Sequence, residues 1–347
     1  MSLLEVKNLH TCFKTRKGVV HAVNDVSFKL EAGKTLAIVG ESGSGKSVSA
    51  MSILKLLDEN GYVESGEILF DENDNGAPID LVKIPTQQMS QIRGNKISVI
   101  FQEPMTALNP VLTVKRQLCE PFLIHRNLSK KQAETEAEKA LEAVRIVGVK
   151  RVLKGYPHQL SGGMRQRVMI AMALACEPKI LIADEPTTAL DVTIQAQILR
   201  LMQDLQKEKG TAILFITHDL GVVREIADEV AVTYCGQIVE RAPTNLIFSG
   251  QYSHPYTEGL LSSIPSRNKK GERLEQIQGN PPSPFYLPKG CKFSTRCKYR
   301  TQKCIDDEPA LLPVGKGKYE REIRCHYPSK EERNSDAHRK LIIRCGS

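Results

Sequence analysis

The order of apolar and polar residues predicts an alternation of strands and helices over most of the chain. KTLAIVG, from Lys34 to Gly40, is a short apolar run of the kind found in a strand buried within a sheet. A Gly/Ser-rich turn and a helix over 46–57 follow it, and KISVIFQ, from Lys96 to Gln102, is a second buried-strand candidate. Further on, the pattern predicts in turn a helix, a strand, a helix, a strand and a helix, at 164–176, 179–183, 192–209, 211–216 and 219–227. Strands separated by helices of this length predict a parallel α/β sheet.

Two other segments have a different texture. Residues 113–153 are rich in Ala, Glu and Lys, which favours helix, with Leu141, Val144 and Val147 near helical spacing and the charges on a solvated face. From about residue 265 the chain is first charged and then rich in Pro and Gly, as in a linker or extended segment. We therefore predict two domains, 1–250 and 251–347.

Composition narrows the class of protein. The chain has 347 residues, of which 41% are hydrophobic and 25% charged, as in an ordinary soluble globular protein. No apolar run reaches the roughly 18–20 residues of a membrane span, and the first residues lack the order of a signal peptide. Residues 1–250 hold 29 basic and 29 acidic residues, whereas 251–347 hold 19 and 11, so the net charge of +8 lies entirely in the second part. Such a charge suits an anionic membrane face, an acidic partner or nucleic acid.

The segment GESGSGKS, from Gly40 to Ser47, matches the pattern G-x-x-x-x-G-K-[ST] between a predicted strand and a predicted helix. Glycines allow backbone N–H groups to turn toward phosphates, and the amino end of the helix adds a favourable dipole. We expect Lys46 to reach the β- and γ-phosphates of ATP and Ser47 to bind Mg²⁺. The residues expected to bind the nucleotide here are Gly40, Ser42, Gly43, Ser44, Gly45, Lys46 and Ser47.

A second acidic site is expected at the end of another strand. Four apolar residues from Ile180 precede Asp184 and Glu185. Asp184 at the strand end suits a Mg²⁺ ligand, and Glu185 could polarise the attacking water as a general base.

A third motif makes the resemblance to a known family specific. The segment LSGGMRQ resembles the signature motif of ATP-binding cassette ATPases, and it contains Ser161, Gly162 and Gly163. The other elements of that family follow in order: Gln102 resembles the Q-loop glutamine, Asp191 the D-loop aspartate, and His218 the switch histidine, while Phe13 stands where an aromatic stacks on adenine. The resemblance implies that Gln102 also binds Mg²⁺ and that the catalytic residues are Glu185, His218, Gln102 and Lys46. It further implies that the signature contacts ATP held by a facing subunit, so that hydrolysis needs a dimer.

The family resemblance also implies a fold: a P-loop NTPase with a RecA-like parallel sheet core, an antiparallel β subdomain, a helical subdomain at about 103–165 and a small irregular Cys-rich C-terminal domain. The sequences of the motifs are similar to those of the D-type ATPases of dipeptide and oligopeptide importers. The stretches HPYT, from His254, and LLSSIP, from Leu260, continue this similarity into the C-terminal region. The segment after Gln102, with Glu103 and Pro104, would receive the permease.

The importer resemblance implies four partners for this chain, namely a non-identical F-type ATPase, two transmembrane permease subunits and, through them, an extracellular peptide-binding receptor. It places the protein on the cytoplasmic face of a prokaryotic cell membrane. Importers of nickel, opines, glutathione or oligosaccharides have related ATPases, so each of these is an alternative cargo. An alternative function is that of a soluble ATPase that binds nucleic acid through the basic C-terminal region. The aromatic residues of that region show no RNA-binding pattern, however, and no nucleic acid is expected.

Cysteines in the C-terminal region follow the spacing Cys291-x5-Cys297-x6-Cys304-x20-Cys325. Structural zinc usually uses tight pairs, whereas wider spacing fits a larger cluster; zinc and unligated thiols remain alternatives. The resemblance implies a 4Fe–4S cluster on these four residues. We predict that Cys345 is spare and that the other cysteines, Cys12, Cys119, Cys176 and Cys235, are small core residues.

Overall fold

The structure, a computed structural model, describes residues 2–72, 77–103, 107–187, 192–249, 251–264, 277–315 and 321–343. It divides into two compact units. Unit 1 comprises Met1–Leu4, Lys29–Thr35 and Leu69–Ile216, and unit 2 comprises Glu5–Phe28, Leu36–Ile68 and Thr217–Ser347. Unit 2 thus contains both the phosphate-loop segment and the C-terminal region. The predicted domain boundary at residue 250 stays a prediction.

The strands are β1 (Ser2–Thr15), β2 (Gly18–Glu31), β3 (Thr35–Val39), β4 (Gly61–Phe70), β5 (Ile79–Asp80), β6 (Ile97–Ile100), β7 (Ile180–Asp184), β8 (Ala212–Thr217), β9 (Glu229–Tyr234), β10 (Gln237–Pro243), β11 (Leu312–Val314) and β12 (Arg321–Ile323). The helices are α1 (Lys46–Ile53), α2 (Thr86–Ile92), α3 (Val114–His125), α4 (Lys130–Ala143), α5 (Val149–Lys154), α6 (Gly162–Leu174), α7 (Val192–Lys209), α8 (Leu220–Ile226), α9 (Thr244–Ile247), α10 (Pro255–Ser262), α11 (Gln302–Asp306), α12 (Lys330–Asn334) and α13 (Asp336–Arg339).

Unit 1 has a parallel core of three strands in the order β8-β7-β6. Ile180 pairs with Ile97 on one side and with Ala212 on the other, and every residue of β7 and β8 is buried. Burial on both faces explains why these strands are continuous apolar runs rather than alternating ones. Helices α3 to α6 follow β6 along the chain, and α4 begins at a capping box in which Ser129 and Gln132 satisfy each other's backbone N–H groups.

Unit 2 contains strands β11, β12, β10, β9 and β3, which adjoin in that order. β3 and β9 are parallel, with Leu36 opposite Glu229, whereas β10 and β12 are antiparallel, with Glu240 opposite Ile323. Strands β11 and β12 of the C-terminal region therefore belong to the same sheet as the phosphate-loop strand β3. Strands β2, β1 and β4, which lie mostly in this unit, adjoin in that order.

The predicted parallel α/β fold is confirmed, and every predicted strand and helix named above has a counterpart within a few residues. One detail was wrong. Val147 does not share the buried face of Leu141 and Val144, because α4 ends at Ala143 and leaves Val147 90% exposed. Cys12, Cys119 and Cys176 are buried as predicted, while Cys235 is only half-buried and Cys345 lies outside the described residues.

Candidate functional site

The segment Gly40–Ser47 forms a tight turn at the start of α1, in unit 2. Gly45 has a φ of +94°, and a Cβ atom there would lie 2.5 Å from the carbonyl oxygen of Ala22. A Cβ atom on Gly40 would lie 2.3 Å from the carbonyl oxygen of Thr233. Both positions therefore require glycine, the first for conformation and space and the second for space.

Lys46 is the first residue of α1, and it is 5% exposed. Its Nζ donates to the carbonyl oxygens of Gly40, at 2.8 Å, and Glu41, at 3.0 Å. No side chain caps the amino end of α1 in the described structure. The helix end therefore presents backbone N–H groups and the lysine charge together, which is the arrangement that an anion such as a phosphate requires.

Two further predicted residues belong to unit 2. The ring of half-buried Phe13 lies against Gly61, where a Cβ atom would come within 2.7 Å of Phe13 Cε1. His218 is exposed and directly follows β8. The next residue, Asp219, accepts the N–H of Gly221 at 2.8 Å and so caps α8, which fixes the backbone after His218.

Unit 1 brings two of the predicted catalytic side chains together. Gln102 donates from Nε2 to Oε2 of Glu185, at 3.1 Å. Glu185 has a φ of +45°, and its N–H donates to the carbonyl oxygen of Ile216 at 2.9 Å, so its backbone is held in an unusual conformation. Asp184, the preceding residue, is buried at the end of β7. The amide of Gln102 thereby orients the Glu185 carboxylate.

The predicted signature residues start helix α6 in the same unit. Ser161 accepts the N–H of Met164 at 3.3 Å, as an N-cap residue. Ser161 and Gly162 are exposed, and a Cβ atom on Gly162 would meet no atom within 4 Å. Gln166 Nε2 donates to the carbonyl oxygen of Pro186 at 2.5 Å and links this helix to the loop after Glu185. The predicted D-loop aspartate, Asp191, and Pro104 lie outside the described residues.

The four C-terminal cysteines line one small cavity in unit 2, together with side chains that include His254, Tyr327 and Arg333. Among the described residues, no three of these sulfurs lie within 4.8 Å of one another. A tetrahedral ion with Zn–S bonds of about 2.3 Å requires sulfurs roughly 3.8 Å apart. The compact three-sulfur group that one such ion requires is therefore not found among the described residues.

Burial shapes the chemistry of these thiols. It raises the pKa of Cys291 to about 11 and that of Cys325 to about 12, and it raises the pKa of Cys297 as well. Backbone N–H groups oppose this shift, among them that of Tyr327, which donates to Cys325 Sγ at 3.4 Å. The site would therefore hold thiolates only with a bound cation, whose charge offsets the cost of burial.

The structure also places together three side chains that the sequence analysis did not connect. Cys12 Sγ lies 3.1 Å from His21 Nδ1 and 3.5 Å from Glu64 Oε2, on strands β1, β2 and β4. Burial, and then Glu64, raises the pKa of Cys12 to about 11, so this is a hydrogen-bonded group around a protonated thiol. Only the strand register brings these positions into contact.

Comparison with known proteins agrees with this fold. The family model described as "ABC transporter" matches residues 23–188, and that described as "Oligopeptide/dipeptide transporter, C-terminal region" matches 239–304. A solved post-hydrolysis dimer of an ATP-binding cassette bound to ADP and Pi is 28% identical, with a TM-score of 0.62 over 70% of this chain and 98% of that chain. The fold and the phosphate loop define an ATPase of the ATP-binding cassette class.

The chain belongs to the family of oligopeptide transport ATP-binding proteins within this class. It is 49% identical to the Bacillus subtilis protein AppD over 93% of this chain and 96% of AppD. It is 51% identical to the Haemophilus influenzae protein OppD over 87% of this chain and 91% of that protein. In the described part of the chain, no helix has the length and apolar character to cross a membrane.

Proposed function

We propose that the chain is the ATP-hydrolysing, energy-coupling subunit of a membrane importer for dipeptides or oligopeptides. The observation that carries the ATPase role is the hydrogen bond of Gln102 to Glu185, which follows a buried strand. The phosphate loop supports it, because the loop has glycine at Gly40 and Gly45, where a Cβ atom would clash with the backbone. The peptide cargo is supported by the match of residues 239–304 and by the names of AppD and OppD.

In this proposal the phosphate loop and Lys46 hold the β- and γ-phosphates. Glu185, oriented by Gln102, takes the proton of the attacking water, and His218 contacts the γ-phosphate. Phe13 stacks on adenine, and Ser47, Gln102 and Asp184 are the Mg²⁺ ligands; when bound, Mg²⁺ neutralises charge on the phosphates. Ser161 and Gly162, exposed at the start of α6, and Gly163 would contact ATP held by the partner ATPase, and Asp191 would also contribute to nucleotide binding.

The proposed complex contains an F-type partner ATPase and two permease subunits, which contact an extracellular receptor, and it places this chain on the cytoplasmic face of the membrane. Closure of the ATPase pair on ATP would shift the permease between two states. The segment with Glu103 and Pro104 would receive the permease. Nickel, opine, glutathione or oligosaccharide importers are the alternative assignments, because the receptor and permease select the cargo.

Reconstitution of the complex tests this proposal. We expect the isolated chain to hydrolyse ATP weakly and the complete complex in vesicles to respond to peptide-loaded receptor. The measurement is phosphate release with and without peptide, and a Lys46→Ala complex is the matched control. Strong peptide-stimulated ATPase in the isolated chain, or co-purification with nucleic acid instead of permease, would contradict the proposal.

We also propose that Cys291, Cys297, Cys304 and Cys325 hold a 4Fe–4S cluster. The common cavity supports a shared group, and the absence among the described residues of any three of these sulfurs within 4.8 Å of one another favours the cluster over zinc. When bound, the cluster would supply cross-links that stabilise a region with few aliphatic residues. Each thiol would provide one ligand, and the backbone N–H of Tyr327 would bond to the sulfur of Cys325.

Anaerobic purification of the Cys297→Ser variant provides the test. We expect the wild-type chain to be brown and to contain iron and sulfide, and the variant to lose most of both, because a cluster requires all four thiolates. Cys176→Ser, which changes another buried cysteine, is the control and should retain the iron. A colourless wild-type protein with one zinc per chain would refute the cluster.

A further inference from the structure

Glu41, the second residue of the phosphate loop, is held by a residue far along the chain. Arg296 donates from Nη1 to Glu41 Oε2 at 2.7 Å and from Nη2 to Oε1 at 3.0 Å, across 255 residues of sequence. The Arg296 side chain is 4% exposed and that of Glu41 29%, so solvent screens this ion pair less than it screens a pair on the surface. Two parallel bonds fix the direction of the carboxylate as well as its distance.

The guanidinium of Arg296 is itself held in place. Its Nε donates to the carbonyl oxygen of Gln278 at 3.1 Å, and it lies 5.8 Å and 5.9 Å from the ring centroids of Tyr234 and Phe293. Burial disfavours its charge, but hydrogen bonds to Glu41 and Tyr234 outweigh that effect and raise the pKa of Arg296. The guanidinium of Arg296 is therefore held in a fixed position and carries its full charge.

A second group holds the backbone of the same loop residue. The N–H of Glu41 donates to the hydroxyl of Tyr256 at 2.8 Å. Tyr256 is completely buried, and its ring lies 4.7 Å from that of Tyr234 and 5.5 Å from that of Phe293, measured between centroids. Glu41 is thus held at its carboxylate by one C-terminal residue and at its backbone by another.

These contacts continue to the phosphate-binding lysine. The carbonyl oxygen of Glu41 accepts from Lys46 Nζ at 3.0 Å and from the N–H of Ser44 at 3.2 Å. Residues of the loop line a cavity of about 350 Å³ together with Pro281, Pro282, Pro284 and Leu287. The residues that brace the loop belong to the C-terminal region, outside the matched cassette segment 23–188.

We propose that Arg296 and Tyr256 are positioning residues for ATP, which hold Glu41 so that the phosphate loop and Lys46 keep the shape that receives the phosphates. This inference rests on the proposed binding of ATP by that loop. If these residues only anchored the C-terminal region, their removal would lower the unfolding temperature without changing the ATP affinity of the folded chain.

The experiment measures the Kd of a fluorescent ATP analogue on the full-length chain, well below the unfolding temperature of each variant. We expect Arg296→Gln to raise the Kd about tenfold, and Arg296→Lys, which keeps the charge but not the paired bonds, to raise it less. Tyr256→Phe removes only the hydroxyl and keeps the ring, so a smaller rise is expected. Arg300→Gln is the matched control, since Arg300 donates to the carbonyl oxygens of Ile343 and Ser294.

A double-mutant cycle with Glu41→Gln separates positioning from general stabilisation. We expect Arg296→Gln to have little further effect on the Kd once Glu41 is changed, because the two residues act through one contact. An unchanged Kd in Arg296→Gln, additive effects, or an equal rise in Arg300→Gln would overturn the inference. Lys46→Ala tests the proposed site separately: ATP binding that depends on Lys46 but not on Arg296 contradicts this inference alone, and binding independent of Lys46 contradicts the proposed function.

Discussion

Replacement of Glu185 by Gln is expected to lower ATP turnover by roughly 10²–10⁴-fold, the range typical of a lost general base. The amide keeps an oxygen that can accept the Nε2–H of Gln102, which lies 3.1 Å from the carboxylate, so the side chain should keep its orientation. What is lost is the ability to take a proton from water. ATP affinity should change less than about twofold, because Glu185 is not assigned to ground-state binding.

Single-turnover phosphate release and nucleotide binding, measured on the same preparation, check this result. Glu177→Gln is the matched control, since Glu177 is an exposed carboxylate of unit 1 that pairs with Lys209 at 3.1 Å and Arg126 at 3.4 Å. It should leave turnover unchanged. Near-normal hydrolysis in Glu185→Gln would remove Glu185 as the base.

The second large effect concerns the stability of unit 2. Arg321 on β12 lies 3.3 Å from Glu240 on β10, and their side chains are 6% and 0% exposed. Arg321 also donates to the carbonyl oxygens of Tyr252 and Leu246. Arg321→Met would leave the Glu240 carboxylate buried without its cation, which typically costs about 3–5 kcal/mol of unfolding free energy.

Denaturant unfolding at several pH values checks this expectation. Burial raises the pKa of Glu240 in the folded chain, so stability associated with this group is present below its unfolded pKa of about 4.3 and is lost as pH rises. Loss of the arginine should enlarge that difference, so the variant should be more destabilised at neutral than at acidic pH.

Two further variants give this prediction its controls. Arg241→Met, on the same strand as Glu240, removes a more exposed partner of Glu322 and Glu229 and should cost less than about 1 kcal/mol. Glu240→Gln combined with Arg321→Met should be more stable than Arg321→Met alone, because the buried charge is gone. Equal stability of Arg321→Met and Arg241→Met would contradict the argument.

Much of the ATPase body could be predicted from the sequence because its signals are local. The phosphate loop consists of eight consecutive residues, and its motif specifies glycine at positions where a side chain would not fit. Strand β7 is a continuous apolar run that ends in Asp184. The pairing of Gln102 with Glu185 joins two such motifs across 83 residues. The sequence analysis predicts each of these two residues from its family motif but predicts no contact between them. The hydrogen bond itself depends on the register of β6 and β7.

Other features had no local signal. Val147 fits the helical spacing of its neighbours, but α4 ends before it, and only the path of the chain shows its exposure. The spacing of the four C-terminal cysteines leaves cluster, zinc and free thiols open, and only the tertiary structure shows that all four line one cavity.

The sequence by itself determined the class of protein and the position of the phosphate loop, since these depend on short motifs and on the period of apolar residues, whereas the catalytic residues that it indicates stay a prediction. Only the tertiary structure shows that the basic, Cys-rich region contacts the phosphate loop. Glu41 and Arg296 are 255 residues apart, and the partly buried, two-bond ion pair between them depends on how the chain folds back on itself. Contacts of this kind leave no periodic pattern, because each partner is placed by a different part of the fold.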